Sequence, residues 1–510
     1  MNPAATVIPT RSVRLADLTV GLLDVPAALA VSDVTLDSRG VSSGALFLAC
    51  RGRGRHGSEF AAEAVGRGAR AVLYEPDADR PDGGRPQLSP GVFVAAVPQL
   101  CRHAGVIADR FFDRPSQTLT VAGITGTNGK TTCAWLLAQA LEQCRRPAAY
   151  MGTIGFGFPA ALADTEHTTS DAVTVHRRLA ELKALGAEVV SMEVSSHALD
   201  QNRVGGVRFH TAAFTNLTRD HLDYHGTMAA YADSKARLFA WPSLAVRVIN
   251  VDDEFGARLA GQLSAARLVI TMRHGITSAM PSHARVVRAV HVEAAVSGLA
   301  LEVESSWGAA KLSVPLIGEF NADNVLTVLA VLLAWDVPLP EAAAALESCR
   351  AAPGRMEAFG GQGAAPLAIV DYAHTPDALA KALRAARVHC RGRLRVVFGC
   401  GGDRDPGKRP MMGRIAAELA DEAVVTDDNP RNEPPEQIVY EILSGIPAGA
   451  AAQVEHDRAL AIESTLARSG AGDVVLIAGK GHEEYQIYGS ERRPFSDQSV
   501  ARAALEARQP

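Results

Sequence analysis

The amino-acid sequence predicts an α/β protein of three domains, and three observations support this prediction. The chain has 510 residues, more than a single hydrophobic core usually organises. Short β-branched runs alternate with helical stretches, a pattern typical of parallel sheets with crossover helices. Joints rich in Pro and Gly at "FFDRPSQT" and "CRAAPGRME" divide the chain. We therefore expect domains at residues 1–115, 116–349 and 350–510.

Composition limits the class of protein. Hydrophobic residues make up 47% and charged residues 21%, as in a folded globular protein, and the formal net charge is -5. Without a basic excess, a nucleic-acid partner is not expected. The N-terminal stretch lacks the apolar run of a secretory signal, and the most apolar segment, "VLTVLAVLLAW", is too short to span a bilayer. We expect a cytoplasmic monomer with no membrane insertion, and a buried core helix at 325–335.

The seven cysteines are scattered and form no CxxC pair. This spacing supports neither a disulfide framework nor a zinc site, and it fits a reducing compartment.

Each predicted domain contains its own set of strand-like runs. The first domain contains "ALFLAC", "ARAVLY" and "GVFVAAV", which predict a small α/β unit. The central domain contains "LTVAGIT", "AEVVSMEV", "TAAFTNL" and "LAVRVINV", which predict a parallel sheet of the P-loop ATPase type. The third domain contains "LAIVDYA", "RLRVVFGCGG", "EAVVTDD" and "GDVVLIAGKG", which predict a Rossmann-like sheet.

The segment "GITGTNGKTT" (123–132) is the clearest functional motif. A β-branched strand leads into a Gly-rich loop, and the helical stretch "TTCAWLLAQALEQC" follows. Such a loop can wrap a phosphate with its backbone N–H groups, while Lys130 reaches the outer phosphates and Thr131 binds magnesium. The strict GxxxxGK[ST] spacing is not met, because Gly123 stands one residue too far from Gly129. A glycine turn without a nucleotide is the alternative.

Two downstream segments offer acidic and imidazole groups. A hydrophobic strand in "VVSMEVSSHALDQNR" ends at Glu193, whose carboxylate could hold magnesium. The segment "TNLTRDHLDYHGT" brings together Asp220, His221, Asp223 and His225. A metal site and a purely structural role for these histidines both remain open.

The third domain contains two further polar loops. In "GCGGDRDPGKRP" (399–410) the dinucleotide fingerprint fails at Arg404, and either a ligand loop or a solvated turn remains. The turn "TDDNPRNEPP" (426–435) places Asp427, Asp428, Asn429 and Arg431 around stiffening prolines. It predicts either a ligand-reading turn or an ordinary surface turn.

Taken together, these motifs resemble the Mur ligase family, cytoplasmic enzymes that build the peptide stem of peptidoglycan. The resemblance covers almost the whole chain, and the family's GTNGKT loop stands at 126–131. The matching motifs, in chain order, are "TLDSRGVSSGALFLA", "GITGTNGKTT", "EVSSHALDQNR", "NLTRDHLDYHG", "YADSKARLF", "GEFNADN", "PGRME", "DYAHTPDAL", "GCGGDRDPGKRP", "DDNPR" and "AGKGHE".

The resemblance implies which residues meet ATP and its metal ion. ATP contacts would come from Gly126, Thr127, Asn128, Gly129, Lys130, Thr131, Thr132, Asn321, Arg355, Asp371 and His374. Mg²⁺ would be the cofactor, held by Thr131, Glu193 and Lys235, the last as a carbamate. The catalytic groups would be Lys130, Glu193, His221 and Lys235.

The resemblance also implies two substrate sites. A UDP-muramoyl-dipeptide would contact Leu36, Ser38, Arg53, Gly54, Arg55, Thr168, Thr169, Ser195, Gln201 and Arg203. Diaminopimelate would contact Arg404, Asp428, Asn429, Pro430, Arg431, Gly479 and Glu483. One position departs from the family pattern: His167 stands where Asn often precedes the paired threonines.

The implied activity is an ATP-dependent amide ligation. It would add meso-2,6-diaminopimelate to the D-glutamyl γ-carboxylate of UDP-N-acetylmuramoyl-L-alanyl-D-glutamate through an acyl phosphate. Four alternatives remain: a lysine-adding relative, a folylpolyglutamate synthase-like ligase, a P-loop motor or switch ATPase, and a non-catalytic nucleotide-binding scaffold.

Overall fold

The computed structural model describes residues 11–52, 54–165, 167–264, 267–274, 281–295 and 298–508. Its contacts divide the chain into two compact units. The first unit contains residues 1–271, 275–285 and 330–335, and the second contains 272–274, 286–329 and 336–510. The three-domain division expected from the sequence is finer than this grouping and stays a prediction.

The N-terminal part of the first unit is a small α/β layer. Its elements are β1 (Val13–Arg14), α1 (Leu15–Leu18), β2 (Ala30–Val31), β3 (Val34–Thr35), β4 (Leu46–Ala49), α2 (Ala61–Gly66), β5 (Ala71–Tyr74), β6 (Phe93–Ala96) and α3 (Leu100–Phe111). Strands β3-β4-β5-β6 form a parallel sheet in that order. Successive residues of β4 and β5 enter different apolar clusters, so both faces of the sheet are buried.

The rest of the first unit is built on a larger sheet. Its elements are β7 (Thr120–Thr125), α4 (Lys130–Gln143), β8 (Ala148–Gly152), β9 (Gly155–Phe158), β10 (Ala161–Ala163), α5 (Ala172–Ala184), β11 (Val189–Glu193), α6 (Ser196–Asp200), β12 (Phe209–Phe214), α7 (Leu222–His225), α8 (Met228–Ala236), β13 (Val246–Asn250), α9 (Glu254–Gln262) and β14 (Leu268–Met272). The strand order is β10-β9-β8-β11-β7-β12-β13-β14. The six strands from β8 to β14 in that order run parallel, and β9 and β10 add an antiparallel edge.

The remaining elements complete the chain. They are β15 (Arg285–Ala295), β16 (Gly298–Ser305), β17 (Gly308–Val314), α10 (Phe320–Ala334), α11 (Leu339–Ser348), β18 (Glu357–Gly360), β19 (Leu367–Asp371), α12 (Pro376–Val388), β20 (Leu394–Phe398), α13 (Lys408–Leu419), β21 (Glu422–Val425), α14 (Pro435–Leu443), β22 (Ala452–Val454), α15 (Arg458–Ala467), β23 (Val474–Ala478), β24 (Tyr485–Tyr488), β25 (Glu491–Pro494) and α16 (Asp497–Glu506). Short 3₁₀ helices occur at Ser38–Gly40, Gly57–Phe60, Pro81–Gly84, Pro115–Gln117 and Arg237–Ala240.

The C-terminal sheet has the order β18-β19-β23-β20-β21-β22 and is parallel except for β18. Helices α12, α13 and α14 cover one face, and α15 and α16 cover the other. This three-layer arrangement confirms the predicted Rossmann-like sheet. Because all parallel strands end at one edge, the loops after β19, β20, β21 and β23 meet there.

Most of the sequence-based expectations about fold are confirmed. Each quoted strand-like run contains a strand, and the apolar segment 325–335 lies in or directly after α10 and is almost wholly buried apart from its last residue. The antiparallel strands β15, β16 and β17 were not predicted. No helix in the described part of the chain is long and apolar enough to cross a membrane.

Candidate active site

The loop between β7 and α4 has a conformation that requires its glycines. Gly126 has φ +149° and Gly129 has φ +85°, both in the region that side chains disfavour. A Cβ atom at Gly126 would also collide with the Thr215 hydroxyl group. The predicted strand–loop–helix motif is therefore present with the expected local geometry.

Residues after β12 hold this loop in shape. The Thr127 N–H donates to the Asn216 carbonyl at 2.8 Å, and the Asn128 N–H donates to Asn216 Oδ1 at 3.0 Å. Thr215 Oγ1 donates to the Asn128 carbonyl at 2.6 Å. Because these contacts come from residues that follow a neighbouring strand, the sheet holds the loop in a fixed conformation before any ligand binds.

Lys130 is the first residue of α4, and its side chain turns back over the loop. Its Nζ donates to the carbonyls of Gly126 at 3.0 Å and Thr127 at 2.8 Å. A cation and the positive end of a helix thus lie at the same place, which favours an anionic ligand.

Glu193 ends β11 and is buried beside the phosphate loop. Its carboxylate accepts from Thr131 Oγ1 at 3.0 Å, from the Thr153 N–H at 2.8 Å, from Thr153 Oγ1 at 3.2 Å and from the Tyr150 hydroxyl. Thr131 and Glu193 together present hydroxyl and carboxylate oxygens, the hard donors that Mg²⁺ prefers. The donor set therefore fits the implied metal ion. Tyr150 and Thr153 were not predicted, and no sequence motif marks them.

Lys235 of α8 is 1% exposed, and its Nζ donates to the Gly126 carbonyl at 2.7 Å. The Nζ also lies 4.5 Å from the centroid of the Tyr231 ring. Burial, and then the charge of Lys130, hold the pKa of Lys235 well below its usual value. A neutral amine is the nucleophilic form of lysine, so this position favours addition of CO₂.

Three histidines gather near the loop. The His197 ring centroid lies 4.8 Å from that of His221 and 5.5 Å from that of His225. Burial, followed by the charges of His221 and His225, lowers the pKa of His197 to about 4. Burial also lowers the pKa of His221, against the opposing charge of Asp220.

The metal-site alternative for 220–225 is not supported by this geometry. Within the part of the chain that the structure describes, the acidic and imidazole groups of this segment do not form a cluster of three converging metal ligands. The Nε2 atom of His225 instead lies 3.0 Å from the Ser196 hydroxyl oxygen.

A cavity of about 340 Å³ joins the loop to the predicted muramoyl-peptide residues. Its lining residues are Lys130, His167, Thr168, Thr169, Ser195, Ser196, His197, Arg203, His221 and Lys235. These residues come from six stretches of the chain, at 130, 167–169, 195–197, 203, 221 and 235, so the fold brings together groups that the sequence separates. Ser196 and His197 are additions to the predicted set.

Hydrogen bonds orient the peptide-binding candidates. Arg203 donates to Gln201 Oε1 through Nε at 3.0 Å and through Nη2 at 2.7 Å, and to the Thr169 carbonyl at 3.0 Å. Thr168 Oγ1 lies 3.0 Å from Thr153 Oγ1, within hydrogen-bond distance. Ser195 caps α6 through the Ala198 N–H.

The candidates for the uridine diphosphate end lie in the small N-terminal layer. Ser38 Oγ donates to Glu63 at 2.7 Å, and Leu36 packs against the apolar core. Arg55 Nε donates to Glu59 at 2.8 Å, so this cation already has a carboxylate partner. Gly54 belongs to the same loop, and Arg53 lies outside the described residues.

In the second unit, the predicted nucleotide residues Arg355 and Asp371 occupy partly buried positions. Asp371 accepts from the N–H groups of Met356 and Ala373, and burial raises its pKa against the influence of Arg355. Arg355 lies 4.9 Å from the Tyr372 ring centroid, and its Nε is buried without a hydrogen-bond partner among the described residues.

Asn321 and His374 are placed differently. Asn321 is buried, and its Nδ2 donates to the Ile317 carbonyl at 2.8 Å. His374 is exposed, and its Nδ1 lies 2.9 Å from the Tyr372 carbonyl oxygen.

The turn at 427–431 follows β21 and is mostly buried. Arg431 has φ +52°, its N–H donates to the Ile487 carbonyl at 2.9 Å, and its Nη1 donates to the Gly402 carbonyl at 2.8 Å. The Asp428 carboxylate faces Gly479, where a Cβ atom would lie 2.6 Å from Oδ2. The tertiary structure thus joins three of the predicted substrate-reading loops.

A buried network supports this turn. Lys480 Nζ donates to Asn429 Oδ1 and to Glu483 Oε2, both at 3.1 Å, and Asn429 Nδ2 donates to Glu483 at 2.9 Å. Asn429 and Glu483, which are predicted substrate contacts, therefore also stabilise the turn. Lys480 was not predicted, although it stands inside "AGKGHE". The Pro430 carbonyl group packs against Gly402. Arg404 is exposed in the adjoining loop.

A fully buried ion pair also stabilises the turn at 427–431. Arg458 donates to both carboxylate oxygens of Asp497, at 2.7 and 2.8 Å, and neither side chain is exposed. Arg458 also donates to the carbonyls of Asp427 at 3.4 Å and Ala478 at 3.0 Å. It thereby links the ends of β21 and β23.

Comparisons with known proteins agree with this architecture. Three family models match: the Mur ligase family catalytic domain at 30–100, the Mur ligase middle domain at 124–332 and the Mur ligase glutamate ligase domain at 354–481. The chain is 49% identical to the UDP-N-acetylmuramoyl-L-alanyl-D-glutamate–2,6-diaminopimelate ligase of Chromobacterium violaceum, over 94% of this chain and 95% of that protein. It is 48% identical to the enzyme of the same name from Alkalilimnicola ehrlichii, over 93% and 95%.

A solved structure of an enzyme with that name superposes with a TM-score of 0.70 at 33% identity, covering 98% of this chain and 99% of the other. The family models and the near-full-length relatives lead to one conclusion: the chain belongs to the Mur ligase family.

Proposed function

We propose that this protein is an ATP-dependent ligase of cytoplasmic peptidoglycan precursor synthesis. It joins meso-2,6-diaminopimelate to the D-glutamyl γ-carboxylate of UDP-N-acetylmuramoyl-L-alanyl-D-glutamate. The observation that supports the reaction class is that Lys130, Lys235, Thr168, Thr169 and Arg203 line one cavity. Relatives of 45–49% identity over nearly the whole chain bear the name of this activity.

The reaction must first activate the carboxylate, because oxide is too poor a leaving group for direct amide formation. A γ-carboxylate oxygen attacks the terminal phosphorus of ATP, ADP departs, and an acyl phosphate forms. The amine of the amino acid then attacks the acyl carbon, phosphate leaves, and the amine proton passes to solvent or to a nearby base. Both steps depend mainly on positioning and on charge stabilisation.

The chain supplies several of these functions. The N–H groups from Gly126 to Thr132 and the Lys130 ammonium bind the phosphates. The Thr168–Thr169 segment and Arg203 hold the peptide so that its carboxylate points toward the loop. His197 lines the same cavity in its neutral form, because its pKa is lowered to about 4.

Mg²⁺ would be held by Thr131 and Glu193, whose oxygens meet beside the loop. When bound, such an ion neutralises the charge that develops on the transferred phosphoryl group. Thr153 and Tyr150 orient the Glu193 carboxylate through hydrogen bonds.

Lys235 is proposed to act as a carbamate. Its neutral amine adds to CO₂ through a new N–C bond and releases one proton, so a neutral side chain becomes an anionic one. Burial supports this because it disfavours the ammonium form, and the nearby cations Lys130 and Mg²⁺ would stabilise the anion.

The amino acid is proposed to bind at the 427–431 turn. Diaminopimelate has a second amino-acid head at its far end, with both an ammonium and a carboxylate group, whereas lysine lacks the far carboxylate. The guanidinium of Arg431 offers paired donors for that carboxylate. Asp428 offers an anionic acceptor for the ammonium group, and Arg404, Gly479 and Glu483 surround them.

Phosphate release provides the test. The purified protein is given ATP, Mg²⁺ and UDP-muramoyl-dipeptide, with meso-diaminopimelate, lysine, glutamate or no amino acid in parallel. We expect phosphate release to require both the sugar nucleotide and diaminopimelate. Equal use of lysine would indicate a lysine-adding ligase, and turnover without the sugar nucleotide would indicate a motor or switch ATPase. In a separate reaction with a folate in place of the sugar nucleotide, addition of glutamate would indicate a folylpolyglutamate synthase-like enzyme. No turnover in any of these reactions would favour a scaffold.

A further inference from the structure

A cluster of two thiols and a carboxylate lies in the N-terminal layer, outside the cavity described above. Cys50 follows β4, Glu75 follows β5, and Cys101 stands in the first turn of α3. The sulfur atoms and a carboxylate oxygen all lie within 4.8 Å of one another, and all three residues are half-buried. The scattered cysteine spacing gave no indication of such a cluster.

The backbone holds these three groups toward a common point. Glu75 Oε2 accepts from the N–H of Arg51 at 3.4 Å and from the N–H of Cys101 at 3.3 Å. Cys101 Sγ donates to the Arg51 carbonyl at 3.5 Å. These two hydrogen bonds hold the Glu75 carboxylate between the two segments that carry the cysteines.

The charges of this cluster favour a cation. As anions, two thiolates and a carboxylate would repel one another. A bound divalent ion would remove this repulsion and stabilise both thiolates.

We infer that Cys50, Glu75 and Cys101 form a binding site for Zn²⁺. Thiolate and carboxylate are both common zinc ligands, and tetrahedral bonds of about 2.3 Å to sulfur place two sulfur ligands about 3.8 Å apart. The observed spacing reaches this geometry with a small inward movement of the side chains. Binding breaks two S–H bonds, forms two Zn–S bonds and releases two protons. Half-burial leaves the fourth position open to water.

The site lies outside the cavity beside the phosphate loop. Its ligands come from the ends of β4 and β5 and the start of α3, which are neighbouring positions at one edge of the small sheet. The Gly57 N–H donates to the Cys50 carbonyl at 2.8 Å, so Cys50 also closes the base of the 51–56 loop.

The test uses the full-length protein, reduced and freed of metal by a chelator, without ATP or Mg²⁺. Zn²⁺ is titrated in competition with a chromophoric chelator, and Co²⁺ is titrated separately to record thiolate-to-cobalt charge-transfer absorption. We expect one tight equivalent of Zn²⁺, release of the two thiol protons on binding, and a charge-transfer band from two thiolates.

Variants assign the ligands. Cys50→Ser and Cys101→Ser should each weaken binding at least about 100-fold, because loss of an outer hydrogen-bond partner alone costs about 10- to 100-fold. Glu75→Gln should also weaken binding while leaving the charge-transfer band. Cys144→Ser, at another half-buried cysteine of the same unit, serves as the control and should bind normally.

Several outcomes would overturn the inference. One is the absence of tight Zn²⁺ binding by the reduced wild-type protein, and another is binding that survives both cysteine substitutions, which would place the ion at the histidines near the phosphate loop. A Co²⁺ complex without charge-transfer absorption would equally exclude thiolate ligation. The cobalt spectrum of the wild-type protein is informative even if a cysteine variant fails to fold.

Discussion

Replacement of Arg431 by alanine tests the proposed choice of amino acid most directly. Arg431 is half-buried in the turn after β21, and one guanidinium nitrogen, Nη1, is engaged by the Gly402 carbonyl at 2.8 Å. The other donors of its fork remain for a substrate carboxylate. The backbone bonds to Ile487 and from Gly489 do not involve the side chain, so the turn is expected to keep its shape.

The size of the effect follows from this environment. Truncating one partner of a desolvated charge pair costs about 2–5 kcal/mol, mostly because the other charge is left unpaired. Since Arg431 is partly exposed, we expect the lower part of that range, about 2–3 kcal/mol. At tenfold per 1.36 kcal/mol, this is a loss of about 30- to 160-fold in kcat/KM for diaminopimelate. The φ of +52° is equally unfavourable for Arg and Ala, so stability should change little.

The assay is initial-rate phosphate release at saturating ATP and sugar nucleotide, with diaminopimelate varied. The KM for ATP should stay within about twofold, because the Lys130 loop is untouched. Arg431→Lys should fall between the wild type and Arg431→Ala, since it keeps the charge but loses the paired donors. Arg384→Ala, at an exposed arginine of α12, is the matched control. A folded Arg431→Ala variant with unchanged diaminopimelate kinetics would refute this assignment of the turn.

Four further predictions concern the rest of the molecule. Lys130→Ala should abolish ligation while leaving the thermal unfolding temperature nearly unchanged, because Thr215 and Asn216 also hold the loop. Near-normal turnover would contradict the phosphate-loop assignment. Lys235→Ala should be almost inactive, and a short carboxylic acid added to the assay should partly restore its activity. A mass spectrum that shows an unmodified Lys235, together with normal activity of Lys235→Ala, would exclude the carbamate. His197 should titrate at about pH 4 by NMR. Since its folded pKa lies below the unfolded value, protonation of His197 should lower the free energy of unfolding as the pH falls from about 6.5 toward 4. The His197→Asn variant should lose that part of the pH dependence. Asp497→Asn should cost about 3–5 kcal/mol in urea unfolding, because it leaves the buried Arg458 without its partner; a loss below 1 kcal/mol would show that the pair is not desolvated in solution.

Local sequence predicted most of the fold elements and the phosphate loop. Strand, glycines, lysine and helix are consecutive at 120–143, so their arrangement follows from backbone preferences that act over a few residues. The parallel strands were recognisable because strands buried on both faces are continuous apolar runs. Strands β15, β16 and β17 are not continuous apolar runs: in β16, buried Leu299, Leu301 and Val303 alternate with more exposed residues, which is the period-2 pattern of a strand with one buried face.

The sequence motifs also indicated, through their resemblance to a family, most residues of the candidate site. They did not indicate how those residues are supported. Tyr150 and Thr153 bond to Glu193, and Lys480 bonds to Asn429, across large separations in the chain. None of these partners forms a motif of its own.

The sequence by itself therefore determined the fold class, the family and the phosphate loop. The tertiary structure decided which distant groups meet: Arg458 with Asp497, and Cys50 with Cys101. The physical reason lies in strand order. In a parallel sheet, strands adjacent in space are often remote in sequence, as β23 is between β19 and β20. Their loops converge at one edge only after the hydrophobic core has assembled, and no local pattern records that convergence.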